Sequence, residues 1–126
     1  MSASRAAAIA GALFGFTGVA AGAFGAHALK SRLDPDALAV FDVAVRYQIV
    51  HALALFASSW VAQQWPGRSA NASAIFFGVG VLLFSGSLYA LSLSGMRLLG
   101  ALTPLGGVLL LLGWLALALA AYRQAR

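Results

Sequence analysis

The chain has 126 residues, 62% hydrophobic and only 9% charged, with a mean hydropathy of +0.91 and a formal charge of +5. Soluble domains run at about 45–50% apolar and 25% charged residues, so this composition excludes a water-facing surface and points to a small all-α integral membrane protein, one membrane domain over residues 1–126. Cysteine is absent, which excludes disulfides, thiolate metal sites and cysteine nucleophiles. The eight Lys and Arg residues fall singly near expected helix ends, a pattern for membrane orientation and headgroup contact rather than for nucleic acid.

The first span is expected over residues 6–28, an uncharged run about 34 Å long as a helix. Arg5 precedes it, and Lys30 and Arg32 follow. Its basic start and Ala26-His27-Ala28 also fit a secretory signal with an A-x-A cleavage site, but the apolar run exceeds the ~7–15 residues of a signal core. Asp34-Pro35 then reads as an N-cap with proline at the first helical position. The second helix is expected over 35–65, its early turns holding an Asp42–Arg46 pair near the interface and its far end marked by Trp60 and Trp65. Pro66 to Asn71 is a predicted turn, and residues 72–93 form a third span ended by Ser94-Gly95. After a connector at 96–102, Thr103-Pro104 reads as a second N-cap and first-turn pair, opening a fourth span over 104–122.

Four spans joined by short connections imply an antiparallel four-transmembrane-helix bundle with both termini on one side. That side carries Arg5, Arg68, Arg123 and Arg126; the other carries Lys30, Arg32 and Arg97, with Arg46 near its interface. Lys and Arg thus barely favour the side of the termini, which is read as cytoplasmic.

Gly11, Gly15, Gly18, Gly22 and Gly25 fall within an arc of about 80° on a helix. Each glycine costs a helix about 1 kcal/mol relative to alanine, and such stripes let helix backbones approach closely in lipid. Gly106, Gly113 and Ala120 form a second small-residue seam of heptad spacing. The first and fourth helices are therefore expected to pack by these seams, on each other or on a neighbouring subunit. His27 lies about 160° from the centre of the first stripe and belongs to no seam.

Antiparallel order brings a second set of residues to one leaflet: His27, Tyr47, Gln48, His51, Ser85, Ser87, Tyr89, Ser92 and Thr103. The opposite leaflet keeps mainly Ser58 and Ser59. Tyr47, Gln48 and His51 share one side of the second helix, and Ser85, Tyr89 and Ser92 share a stripe of the third, continued by Gly78. His51 reads first as a neutral imidazole donating to Tyr89 or a serine. An ionisable residue within a span is also a candidate for proton or ligand handling.

The segments GAFGAHAL (22–29), RYQIVHALAL (46–55), FSGSLYALSL (84–93) and LTPLGG with GW (102–107, 113–114) strongly resemble the YgdD/YwdK family of small bacterial inner-membrane proteins. The resemblance covers almost the whole chain. Its motifs take in Gly22, Gly25, His27, Tyr47, Gln48, His51, Ser85, Gly86, Ser87, Tyr89, Thr103, Pro104, Gly106 and Gly107. It implies a four-helix protein of the bacterial inner membrane and supplies no activity, cofactor or substrate.

The leading functional expectation is a non-enzymatic scaffold or accessory subunit, a homo-oligomer or part of a larger membrane complex in the lipid bilayer, with no cofactor. Seam chemistry without a catalytic set motivates it. The alternative is a small transporter or proton-handling protein using the polar cluster around His51, against which no Asp or Glu lies deep in a span. A third reading is haem or metal ligation by His27 and His51, placed at similar height on neighbouring helices.

Overall fold

The computed structural model describes residues 1–124; Arg126 of the expected basic side lies outside them. Four long helices run α1 (Ala3–Leu29), α2 (Pro35–Gln64), α3 (Arg68–Ser94) and α4 (Thr103–Gln124). All four spans are long and apolar enough to cross a membrane, and the chain adopts the expected all-α antiparallel bundle. The side chain of Asp34 accepts from the Ala37 backbone N–H at 2.8 Å, with Pro35 in the first turn of α2. Gly95 ends α3 with φ of 71°, a left-handed conformation that glycine enters without a Cβ clash. Helix α3 begins at Arg68, inside the predicted turn, which shrinks to Pro66-Gly67. Residues Arg97–Ala101 of the second connector form a 3-10 turn.

Within α1, Ala21–Gly25 is wound as a π turn. Nothing in the amino-acid pattern announced it.

Helices α2 and α3 form the centre. Helix α1 packs on α2, α4 packs on α3, and α1 and α4 do not touch among the described residues. This corrects the expectation that the two small-residue seams meet each other. Each closes on a central helix of its own chain. A Cβ at Gly11 would stand 2.8 Å from the Ala52 carbonyl oxygen, one at Gly18 2.9 Å from Ile49, and one at Gly22 3.0 Å from Val45. Gly15, in the middle of the same stripe, faces open space. On the other side, a Cβ at Gly106 would strike the backbone nitrogen and Cα of Phe84, and one at Gly113 the ring of Phe77. Gly80 of α3 receives Leu110 in the same way. The glycines leave room for what α2 and α3 present to them, the side chains of Phe41, Val45, Ile49 and Phe77 and the backbone at Ala52 and Phe84.

The core links the four helices through Ala7, Ala54, Leu55, Phe77, Val81 and Leu110, with a smaller cluster of Val61, Ala70 and Ala120 near the terminal side. Large apolar residues such as Leu13, Phe16 and Phe24 of α1 and Leu105, Leu111 and Leu115 of α4 are exposed. In lipid that is their proper surroundings, so hydrophobic burial does little to hold the helices together and close packing with interhelical hydrogen bonds does more.

Candidate functional site

The polar residues of the connector-side leaflet separate into two groups on opposite sides of α2 and α3. The first centres on Gln48, which is buried. Its amide nitrogen donates to the Phe14 carbonyl at 2.9 Å and to the Thr17 hydroxyl at 2.7 Å, both on α1. Its amide oxygen accepts from the Tyr89 hydroxyl of α3 at 2.6 Å. One side chain therefore ties three helices. Thr17 passes its own proton to the Leu13 carbonyl at 2.8 Å, so each donor in the group has an acceptor. Beside it, Ser85 donates to the Ala44 carbonyl at 2.7 Å, and the Phe41 ring meets Tyr89 edge-on at 5.1 Å.

The second group centres on His51. Its Nδ1 donates to the Tyr47 carbonyl one turn back at 2.7 Å, and its Nε2 accepts from Nε1–H of Trp114 on α4 at 3.1 Å. An indole N–H only donates and a carbonyl only accepts, so the two partners select the neutral Nδ1–H tautomer. The expected partners, Tyr89 and the serines, are engaged elsewhere. Around the imidazole stand Phe77 at 5.6 Å, Trp114 at 5.9 Å and Tyr47 at 6.0 Å between ring centroids. Tyr47, His51, Phe84 and Trp114 line a groove of about 460 Å³ between α2 and α4.

Other expected site residues serve as ties. Ser87 of α3 and Thr103 of α4, both members of the expected polar cluster, share a hydrogen bond of 2.7 Å, so the Thr103 hydroxyl joins two helices. Ser92 bonds locally to the Tyr89 carbonyl at 2.9 Å. In the opposite leaflet, Ser59 donates to the Ser4 carbonyl at 2.7 Å, and the Ser58 and Ser73 hydroxyls lie 2.8 Å apart. Among the described residues no buried side-chain polar atom lacks a partner.

His27 and His51 are not brought together. Gly25 lies against Phe41 and Gly18 against Gln48 and Ile49, which sets the antiparallel register of α1 on α2. His27 thus stands beyond the level of Phe41, while His51 lies about 15 Å further along α2 at 1.5 Å per residue. His27 is exposed at the end of α1, whereas His51 faces α4. The similar height expected of the two histidines was wrong because it ignored this register, and a site ligated by both is not formed. Asp42 and Arg46 are likewise exposed, and the expected ion pair between them is not made among the described residues.

Two participants were missed from the sequence. Thr17 is the one hydroxyl in the uncharged run of residues 6–28, a signal that was available. Trp114 entered only as part of the GW motif at 113–114, and only the fold shows its indole N–H donating inward to His51.

Comparison with known proteins bears on the whole chain. Residues 21–107 match a family model described as a protein of unknown function, DUF423. The chain is 40% identical over 121 residues to a UPF0382 membrane protein of Staphylococcus saprophyticus, covering 91% of this chain and 95% of that one. It is 39% identical over 116 residues to the UPF0382 membrane protein YwdK of Bacillus subtilis, covering 91% and 94%. Against the UPF0382 inner membrane protein YgdD of Escherichia coli it is 38% identical over 115 residues, covering 91% and 88%. No solved structure matches.

Proposed function

The chain belongs to the DUF423 family of bacterial membrane proteins of unknown function, and from its own geometry we propose a non-enzymatic accessory protein of the inner membrane, working as a homodimer and without a cofactor. Both termini face the cytoplasm in this reading. The interior supports a structural role over a catalytic one: among the described residues its buried side-chain polar atoms all have partners within the chain.

Asp42 and Arg46 carry the dimer. Helix α1 covers the side of α2 that holds Phe41, Val45 and Gln48, while α3 and α4 cover Ala44 and His51. Asp42 and Arg46 stand one turn apart on the remaining side, above Val50 and Leu53, which are 48% and 67% exposed. Unpaired charges on a bilayer-facing helix are unfavourable. Two copies related by a twofold axis along the membrane normal would run their α2 helices parallel, so Asp42 of each meets Arg46 of the other in an isologous contact.

Leu53→Cys tests this in a chain that has no cysteine of its own. Oxidation in native membranes is expected to give disulfide-linked dimers. Asp42→Arg abolishes them, and adding Arg46→Asp restores them. If neither Leu53→Cys nor Val50→Cys crosslinks, the dimer reading fails.

A further inference from the structure

Gly86 has no packing reason to be glycine. Glycine weakens a helix relative to alanine, yet a Cβ there would meet nothing within 4 Å. Its backbone is ordinary helix with negative φ. Gly80, Gly106 and Gly113 each admit a neighbouring helix; Gly86 admits none among the described residues.

What Gly86 does is line a cleft of about 400 Å³ between α1 and α3. The cleft lies between Phe14, Thr17 and Ala21 of α1 and the 81–93 stretch of α3, on the connector side of the core around Ala7 and Ala74. Phe14, Phe41, Val81 and Leu82 supply apolar walls. The polar atoms of Gln48, Thr17 and Tyr89 at its floor are already bonded to one another, so the cleft offers an occupant a hydrocarbon surface. Leu93 belongs both to this cleft and to a second cavity of about 460 Å³ at the membrane face. There Arg32, Asp34, Asp36 and Arg97 stand in the lining, two cations and two anions. Asp34 spends one carboxylate oxygen on the Ala37 N–H, leaving the other free to accept, and Lys30 stands nearby on the same connector without entering the lining.

We propose that the cleft and its charged mouth form a binding site for one phospholipid with a primary-amine headgroup, its acyl chain seated beside Gly86. Arg32 and Arg97 meet the phosphate, since guanidinium donates to phosphate oxygens in forked pairs. Asp34 and Asp36 accept from the ammonium, which has three N–H donors. A lining with no net charge favours a zwitterion over an anionic lipid. A quaternary ammonium has no N–H to give the aspartates. Glycine at 86 keeps the wall low enough for the chain to lie against the helix backbone. The site lies apart from the Asp42–Arg46 side of α2 and stands independently of the dimer.

The test is lipid titration of the purified full chain in detergent, read by native mass spectrometry, with phosphatidylethanolamine, phosphatidylcholine and phosphatidylglycerol of matched acyl chains. One equivalent of phosphatidylethanolamine is expected to bind at least fivefold more tightly than either other lipid. Gly86→Leu is expected to weaken it at least fivefold while leaving the thermal unfolding midpoint within a few degrees, because its side chain enters open space. Arg97→Gln and Asp36→Asn, both on exposed residues at the mouth, are expected to bring the three lipids toward equal affinity. Equal binding of phosphatidylethanolamine and phosphatidylcholine by the unmodified chain overturns the headgroup assignment, and tighter phosphatidylglycerol binding overturns it equally. Undiminished binding by a folded Gly86→Leu chain overturns the cleft.

Discussion

Trp114 donates its indole N–H to Nε2 of His51 over 3.1 Å, and this bond is the main polar link between α2 and α4. With Nδ1 held by the Tyr47 carbonyl, the imidazole has no freedom of tautomer. Nitrogen-15 NMR of the side chain is expected to report a protonated Nδ1 and an unprotonated Nε2. Trp114→Phe keeps a ring against Phe77, now 5.0 Å away between centroids, but removes the donor. The expected cost is about 1 kcal/mol, the scale of one interhelical hydrogen bond in a membrane, accompanied by a change in the Nε2 chemical shift. An unchanged Nε2 shift in that variant would show that the bond is not made.

Gln48 is the point where α1, α2 and α3 are tied together, and its loss is expected to exceed the loss of any single partner. Tyr89→Phe removes one hydrogen bond and leaves two; its expected cost is about 1 kcal/mol. Gln48→Leu removes all three and strands the Tyr89 hydroxyl, for about 2–3 kcal/mol. Since the Tyr89 bond is counted in both, the double variant is expected to fall short of the sum by about 0.5–1 kcal/mol. Reversible unfolding in mixed micelles measures the cycle, and strict additivity would mean that Gln48 and Tyr89 do not interact.

Ser85→Ala offers a simpler case. The hydroxyl is buried and donates across the α2–α3 contact to the Ala44 carbonyl, which also serves its own helix. Removing it leaves no unpaired donor, so the expected loss is only about 0.5–1 kcal/mol. Ser92→Ala breaks a bond within α3 alone and is expected to change stability less than Ser85→Ala in the same unfolding assay.

The spans were legible because a membrane helix announces itself by uncharged length, and Asp34, Pro35 and Gly95 punctuate the chain by local backbone chemistry. The clustering of polar residues toward the connector side followed from antiparallel order alone. Their division into two groups did not, because it depends on which neighbour each side of α2 meets. Gln48 and His51 are three residues apart and share a side of the helical wheel, yet one turns to α1 and Tyr89 and the other to Trp114. The seams failed in the same way. Glycine spacing told that the Gly11 to Gly25 stripe, Gly15 excepted, and Gly106 and Gly113 receive neighbours, but spacing within one helix holds no information about the partner. The deciding residues, Phe84 and Ile49, carry no signal of their own in a chain so rich in apolar side chains.

The glycines themselves supply the sharpest contrast. At Gly106 an added methyl would run into the Phe84 backbone, which cannot yield as a flexible side chain does, so Gly106→Ala must push α4 away from α3. The displacement would also stretch the 2.7 Å Ser87–Thr103 bond one turn away. Overpacking of this kind typically costs about 1–3 kcal/mol, and the hydrogen-bond loss places this variant toward the upper end. Gly11→Ala meets the Ala52 carbonyl oxygen at 2.8 Å and is expected to follow closely. Gly15→Ala sits in the same stripe as Gly11 but opens onto nothing, so it gains helix propensity without a clash, by up to about 1 kcal/mol. Thermal unfolding of the three variants should therefore place Gly15→Ala at or above the parent chain and Gly106→Ala well below it. If Gly15→Ala proves as damaging as Gly11→Ala, then Gly15 meets a partner outside this chain, and the side of α1 left open at that position is an interface.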